Sequence, residues 1–223
     1  MNIKNNIETY TQSLPKGCNL IAVSKTHPAE KIQEAYNAGQ RAFGENKAQE
    51  LSWKYESLPK DIQWHMIGHL QSNKVKYIVR FVHMIHSVDS LKLLQEIDKL
   101  GRKGNRVINC LLQIHIADEE TKFGFAESEA VELLQSGAIA NLNNAKIAGL
   151  MGMATLTQDV NKIRSEFKTL KSLFEKIKSM SLSENIEMKE LSMGMSSDYT
   201  IAVEEGSTMI RVGTAIFGER RND

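Results

Sequence analysis

What most constrains this chain is an alternation that runs from end to end. Short apolar runs of strand length, at 20–25, 41–45, 62–68, 83–88, 106–116, 146–153, 188–194 and 208–218, are separated by segments of helical pattern. Helices are predicted at 28–39, 47–57, 71–80, 90–100, 127–137, 160–177 and 198–204. Pro28 suits a first helical turn, and Gly39 suits the position just past its end. Within 160–177, Ile163, Phe167, Leu170 and Phe174 recur at spacings of three and four. One more helix is predicted inside residues 1–15, with Ile3, Ile7 and Tyr10 on one side and Pro15 and Gly17 closing it. Eight strands with seven helices between them, and no linker, repeat or low-complexity tract, predict an α/β fold. The expected form is a single-domain TIM (β/α)8 barrel over residues 1–223. A doubly wound open sheet uses the same local units. Strand count and even spacing favour the barrel, and no GxGxxG fingerprint follows the first strand.

Charge narrows the partners. Lys plus Arg is 28 and Asp plus Glu is 27, a net +1, which gives no basis for a nucleic-acid footprint or an anionic-membrane patch. The polar N-terminus has no signal-peptide core, and no run approaches the ~20 apolar residues of a membrane helix. Cys18 and Cys110 are the only cysteines and lie far apart, so no thiol metal site or redox pair is expected. A cytoplasmic location follows as the expectation.

Function in a barrel gathers where strands end and loops begin. The unusual polar and glycine-containing segments fall there: SKTH at 24–27, GEN at 44–46, HMIGHLQSNK at 65–74, HSVD at 86–89, TKFGF at 121–125, GMAT at 152–155, SMGMSSD at 192–198 and RVGTAIFGE at 211–219. Lys25 ends the first strand. It reads either as a solvent-exposed lysine or as an amine whose pKa is lowered in a barrel mouth, ready to attack a carbonyl. Gly194 at a strand end, and Ser196 before a helix, offer amides and a hydroxyl to an anion. Gly213 and Thr214 offer the same at strand eight, although a helix cap and a tight turn would use these residues equally well. Arg211 shares a side with Gly213 by the period-two rule. If that side is the interior, the arginine needs a structural carboxylate or a ligand ring nitrogen. It cannot yield its proton, so it would leave such a nitrogen unprotonated and blunt any electron sink.

The histidines predict no metal site. His65 and His69 straddle a strand end, no HExxH is present, and His83, His86 and His115 lack ligand spacing. Met151, Met153, Met193 and Met195 read as core or pocket lining.

The ordered set AVSKTHP, FGEN, HMIGHLQSNK, HSVD, KFGF, GLMGMAT, LSMGMSSDY and RVGTAIFGER strongly resembles the pyridoxal 5′-phosphate homeostasis proteins, whose fold is that of the alanine racemase N-terminal domain. The resemblance implies that pyridoxal 5′-phosphate (PLP) is held covalently, as an internal Schiff base on Lys25. It implies that Ser196, Gly213 and Thr214 hold the phosphate with help from the backbone near Met195, that Arg211 faces the pyridine nitrogen, and that Asn46 lies near the ring oxygen or the lysine. His65 is a candidate pocket residue, with a packed strand-end histidine as the alternative. The role implied is cofactor buffering or delivery to PLP-dependent apoenzymes, without an established reaction or a catalytic residue.

Two further readings differ in class. A small PLP-dependent racemase or lyase would share the cofactor site and need a proton-transfer pair. Racemases of this fold add a β-rich domain and a tyrosine from across a dimer, and the sequence ends about ten residues after Gly213 and Thr214. Neither Tyr10 nor Tyr199 sits in a motif that supplies the opposite-face acid. A non-enzyme monomer is therefore the expectation. A purely structural or adaptor protein would leave the polar strand ends unexplained.

Overall fold

The computed structural model describes residues 2–118 and 123–219. Thr121 and Lys122 of the TKFGF segment, and Arg220 of RVGTAIFGER, lie outside the described residues. Eight parallel strands close into a barrel in sequence order: β1 (Asn19–Val23), β2 (Ala42–Glu45), β3 (Gln63–Met66), β4 (Met84–Val88), β5 (Ile108–Gln113), β6 (Ala145–Met151), β7 (Ile186–Ser192) and β8 (Met209–Val212). Closure is made by β1 and β8, whose register runs from Asn19 opposite Met209 to Ala22 opposite Val212. The predicted barrel is the observed one.

Helices α1 (Ile3–Ser13), α2 (Ala29–Asn37), α3 (Ala48–Ser57), α4 (Leu91–Lys103), α5 (Glu127–Gln135), α6 (Val160–Lys178) and α7 (Tyr199–Glu204) surround it. In α6 the Asp159 side chain caps the amides of Asn161 and Lys162, and Lys176 and Lys178 complement the C-terminal end. Its buried stripe, Ile163, Phe167, Leu170, Phe174 and Ile177, joins the main core between helices and sheet. At the N-terminus, α1 buries Ile3 and Ile7 in the same layer.

Four elements depart from expectation. The helix predicted at 71–80 is a 3₁₀ helix, Ser72–Tyr77. Val75, Ile78 and Val79 are β-branched, and Arg106 takes the carbonyls of Val79 and Val82 at 2.6 and 2.9 Å. β5 is shorter than 106–116, ending at Gln113. The strand predicted at 208–218 stops at Val212, and Thr214–Phe217 forms a helical turn, α8, that buries Ile216 and Phe217. Similarly, β7 ends at Ser192, so Gly194 lies two residues past it, at φ +95°. A Cβ there would come within 2.6 Å of the Ala202 Cβ on α7.

The barrel interior is unusual in its polarity. Ile21, Met84, Leu111, Ala148, Met151 and Met209 form a small apolar cluster. Buried beside them are His65, His86, Ser192 and Arg211, a set that a purely structural barrel core, dominated by branched aliphatics, would not contain.

Candidate functional site

Lys25 follows β1 by two residues, and the chain on either side of it is clamped. Ser24 N–H donates to the Gly44 carbonyl at 3.0 Å. Lys54, 1% exposed on α3, donates to the Ser24 carbonyl at 2.8 Å, to Glu45 at 2.7 Å and to Glu50 at 2.7 Å. The Ser24 hydroxyl donates to Glu45 at 2.6 Å, and Glu50 accepts the Thr26 amide at 2.6 Å. Thr26 takes φ 65°, a conformation that costs a β-branched residue and persists only when its surroundings impose it. Burial pushes the Glu45 carboxyl up to about 7, against the opposing pull of the Lys54 ammonium.

Asn46 follows β2 directly and packs against Gly68, where a Cβ would lie 2.6 Å from the Asn46 carbonyl oxygen. Met195, Ser196 and Ser197 form the turn between β7 and α7. The Met195 amide is donated to the Asp198 carboxylate and is not left for the phosphate, so it is Ser196 and Ser197 of the turn that remain for an anion. Gly213 lets β8 turn sharply beneath Val23, whose carbonyl oxygen a Cβ would meet at 3.1 Å. Thr214 then opens α8, whose first amides have no partner within the helix.

These segments meet at the C-terminal end of the barrel around a cavity of about 290 Å³. Its lining includes Lys25, Asn46, Met195, Ser196, Arg211, Gly213 and Thr214, every cofactor-binding residue expected from the sequence. The arrangement is graded in depth. Ser196 and Thr214 are exposed at the rim, Lys25 and Asn46 are half-buried, and Arg211 is 4% exposed at the base. Arg211 donates through Nη1 to Ser192 Oγ at 2.6 Å and through Nη2 to the Gly152 carbonyl at 3.0 Å. Burial pushes its guanidinium down to about 10, which keeps it charged at neutral pH. Its other N–H groups have no partner among the described residues and remain for a ligand.

Sequence reasoning did not assign Val23, His27, Ile67 or Ser197 to this lining, and it left Met153 as either core or pocket lining. His27 and Ser197 lay inside quoted motifs and could have been found as neighbours of Lys25 and Ser196. Nothing in the sequence distinguishes Ile67 from core. Of the two readings of His65, the packed one holds: it does not line this cavity but lies deeper in the barrel. It faces a larger cavity, about 560 Å³, at the N-terminal end of the strands. That second cavity contains none of the expected cofactor residues. Among the described residues no cluster of three metal-ligating side chains occurs, and no helix is long and apolar enough to cross a membrane.

The chemistry of the lining fits PLP. An amine, a buried cationic donor and a rim of hydroxyls beside a glycine correspond to an aldehyde, a ring nitrogen and a phosphate. Comparison with known proteins places the fold first: residues 1–221 match the family described as alanine racemase, N-terminal domain. An alanine racemase from E. faecalis shares this fold at a TM-score of 0.72 and 17% identity, over 99% of this chain and 58% of the racemase. Closer in sequence, the pyridoxal phosphate homeostasis protein of Aquifex aeolicus is 40% identical over 203 residues, 91% of this chain and 87% of that protein. PipY of Synechococcus elongatus is 38% identical and superposes with TM-scores of 0.89 without PLP and 0.86 with PLP bound, covering 97% of this chain and all of PipY. The chain belongs to the pyridoxal phosphate homeostasis protein family.

Proposed function

We propose that this chain holds PLP at the C-terminal mouth of its barrel and governs how much reactive aldehyde is free, by buffering it or delivering it to PLP-dependent apoenzymes. The observation that carries the reading is the convergence of Lys25, Arg211, Ser196 and Thr214 on one small cavity. When bound, the cofactor supplies an aldehyde that condenses with the Lys25 amine as a Schiff base, releasing water, and is regained by hydrolysis. The protein's own part is positional. The Lys54 clamp fixes the backbone of Ser24 and Thr26, and so the base of the lysine between them. Arg211 presents a donor to the ring nitrogen, while Ser196, Gly213 and Thr214 receive the phosphate. Asn46, held by Gly68, borders the lysine.

A holding role is supported over turnover by the names of the relatives and by the lining itself. Its titratable side chains, among the described residues, are Lys25, His27 and Arg211. Tyr10 and Tyr199 pack against each other, ring centroids 5.0 Å apart, and neither lines the cavity. Cys18 and Cys110 are both free, in keeping with a cytoplasmic setting.

Purified protein mixed with PLP should develop an imine absorbance band, and borohydride should fix the cofactor to Lys25. No band, or an adduct elsewhere that survives Lys25→Ala, overturns the reading. Transfer of PLP from loaded protein to an apoenzyme in the presence of a scavenger for free PLP separates delivery from buffering. Inversion of amino acids in deuterated water, lost in Lys25→Ala, would instead establish an enzyme.

A further inference from the structure

Beneath Arg211 a line of polar side chains runs through the barrel interior. Ser192 Oγ, on β7, lies 2.9 Å from His86 Nδ1 on β4, and His86 Nε2 lies 2.8 Å from His65 Nδ1 on β3. All four residues are buried, and His65 Nε2 has no partner among the described residues. We infer that His86 is a positioning residue for Arg211, the centre of a one-way hydrogen-bond chain Arg211→Ser192→His86→His65 that locks the guanidinium toward the cofactor ring. This role rests on the proposed PLP site.

The direction of the chain follows from the donor inventory. A guanidinium has only donors, so Ser192 Oγ must accept from Arg211. The serine hydroxyl proton then needs an acceptor, and His86 Nδ1 is the one partner of Ser192 that can accept. His86 must therefore carry its proton on Nε2 and donate to His65 Nδ1. His65 is left with its proton on Nε2. The reverse order would strand both the serine proton and a lone pair on His65, two buried losses instead of one. Burial holds both imidazoles neutral, with His83 adding its repulsion at His65, and His65, Arg211 and His83 adding theirs at His86. Each can then be one donor and one acceptor, as the chain requires.

The consequence for the site is geometric. Arg211 is held at two points, Gly152 O and Ser192 Oγ, and only the second is a side chain that could rotate. His86 removes that freedom by binding the serine proton, and His65 removes the freedom of His86. The line ends where the N-terminal cavity begins, since His65 lines it. The wrong tautomer at either histidine would break the chain and free Ser192 to rotate away from Arg211.

The test has two independent readouts. In the apoprotein labelled with ¹⁵N-histidine, long-range ¹H–¹⁵N correlation should show His65 and His86 as neutral Nε2–H tautomers. An Nδ1–H proton on His86 would overturn the inference, whether or not PLP binds. In the loaded protein, His86→Leu and Ser192→Ala should weaken PLP at least about tenfold and shift the imine band, as expected for one lost charge-assisted bond. His86→Asn, whose side-chain oxygen can stand in for Nδ1, should recover most of the loss. Folded His86→Leu protein with unchanged affinity and spectrum would reduce His86 to a packing residue and refute the role. Failure of the wild type to bind PLP would sink the proposed function and leave the tautomer result standing.

Discussion

Lys54 Nζ donates to the main-chain carbonyl of Ser24 at 2.8 Å, so a buried ammonium on α3 fixes the residue immediately before Lys25. The same nitrogen binds Glu45 and Glu50, and Glu50 in turn accepts the amide of Thr26, the residue immediately after Lys25. A general cost is being met here for a local gain. Buried ion pairs contribute little net stability, but they break expensively and can specify one geometry.

Lys54→Met should therefore leave Glu45 buried without its cation and lower stability by about 3–5 kcal/mol. Lys54→Met with Glu45→Gln should recover much of that stability, because no fully buried unpaired charge remains and Glu50 is partly open to solvent. It should not recover PLP affinity, because the Ser24 carbonyl has still lost its donor. Urea unfolding and PLP titration of the two variants check this. Recovery of both properties together would show that the clamp serves stability alone.

Gly68→Ala tests how Asn46 is held. The added Cβ would sit 2.6 Å from the Asn46 carbonyl oxygen and 2.7 Å from its Cα, so backbone must move. Overpacking of this kind costs about 1–3 kcal/mol. The displaced Asn46 should also weaken PLP about tenfold, the value of one hydrogen bond. Thermal unfolding and an absorbance titration of the same sample measure the two effects.

The barrel was legible because period-two and period-3.6 patterns alternate without a break, and the site because its polar residues cluster at strand ends. Lys25, Ser196, Arg211, Gly213 and Thr214 stood out as candidates by that rule, and the family resemblance supplied their implied roles. Strand ends were less legible. The run 208–218 is mostly apolar with no helical period, and only the turn at Gly213 separates strand from helix. The supports of the site were not legible at all. Lys54 looks like any helix-surface lysine, and its burial depends on Glu45 arriving from another element. The polar line from Arg211 to His65 likewise joins residues up to 106 positions apart, which no local pattern encodes. His65 stayed open between pocket and packing for the same reason: its motif sits at a strand end, but its side chain turns into the barrel.

Rim hydroxyls should distinguish phosphate from aldehyde binding. Ser196→Ala and Thr214→Val each remove a donor to an anion, worth about 1.5–3 kcal/mol or at least about tenfold in affinity. Pyridoxal, which has no phosphate, should bind these variants as it binds the wild type. Equal losses for PLP and pyridoxal would place the hydroxyls elsewhere than on the phosphate.

The buried titratable groups make stability depend on pH with a defined sign. Burial pushes His65 down to about 3, so between its usual 6.5 and that value the unfolded chain binds a proton that the native chain does not. Stability must then fall as pH falls, by about 1.4 kcal/mol per pH unit, and His86 is shifted in the same direction. Glu45 acts oppositely. With its carboxyl raised to about 7 from the usual 4.5, the native chain holds a proton that the unfolded chain has lost, which offsets one histidine in that window. Below 4.5 the offset ends, because the unfolded glutamate is protonated as well, and the acid limb should steepen. Replacing His65 by Gln removes one histidine from this balance. Its stability curve should flatten against the wild type by about 1.4 kcal/mol per pH unit between pH 6.5 and 3. Chemical denaturation at a series of pH values reads the difference directly. Parallel curves for the two proteins would mean that His65 does not resist protonation in the folded barrel.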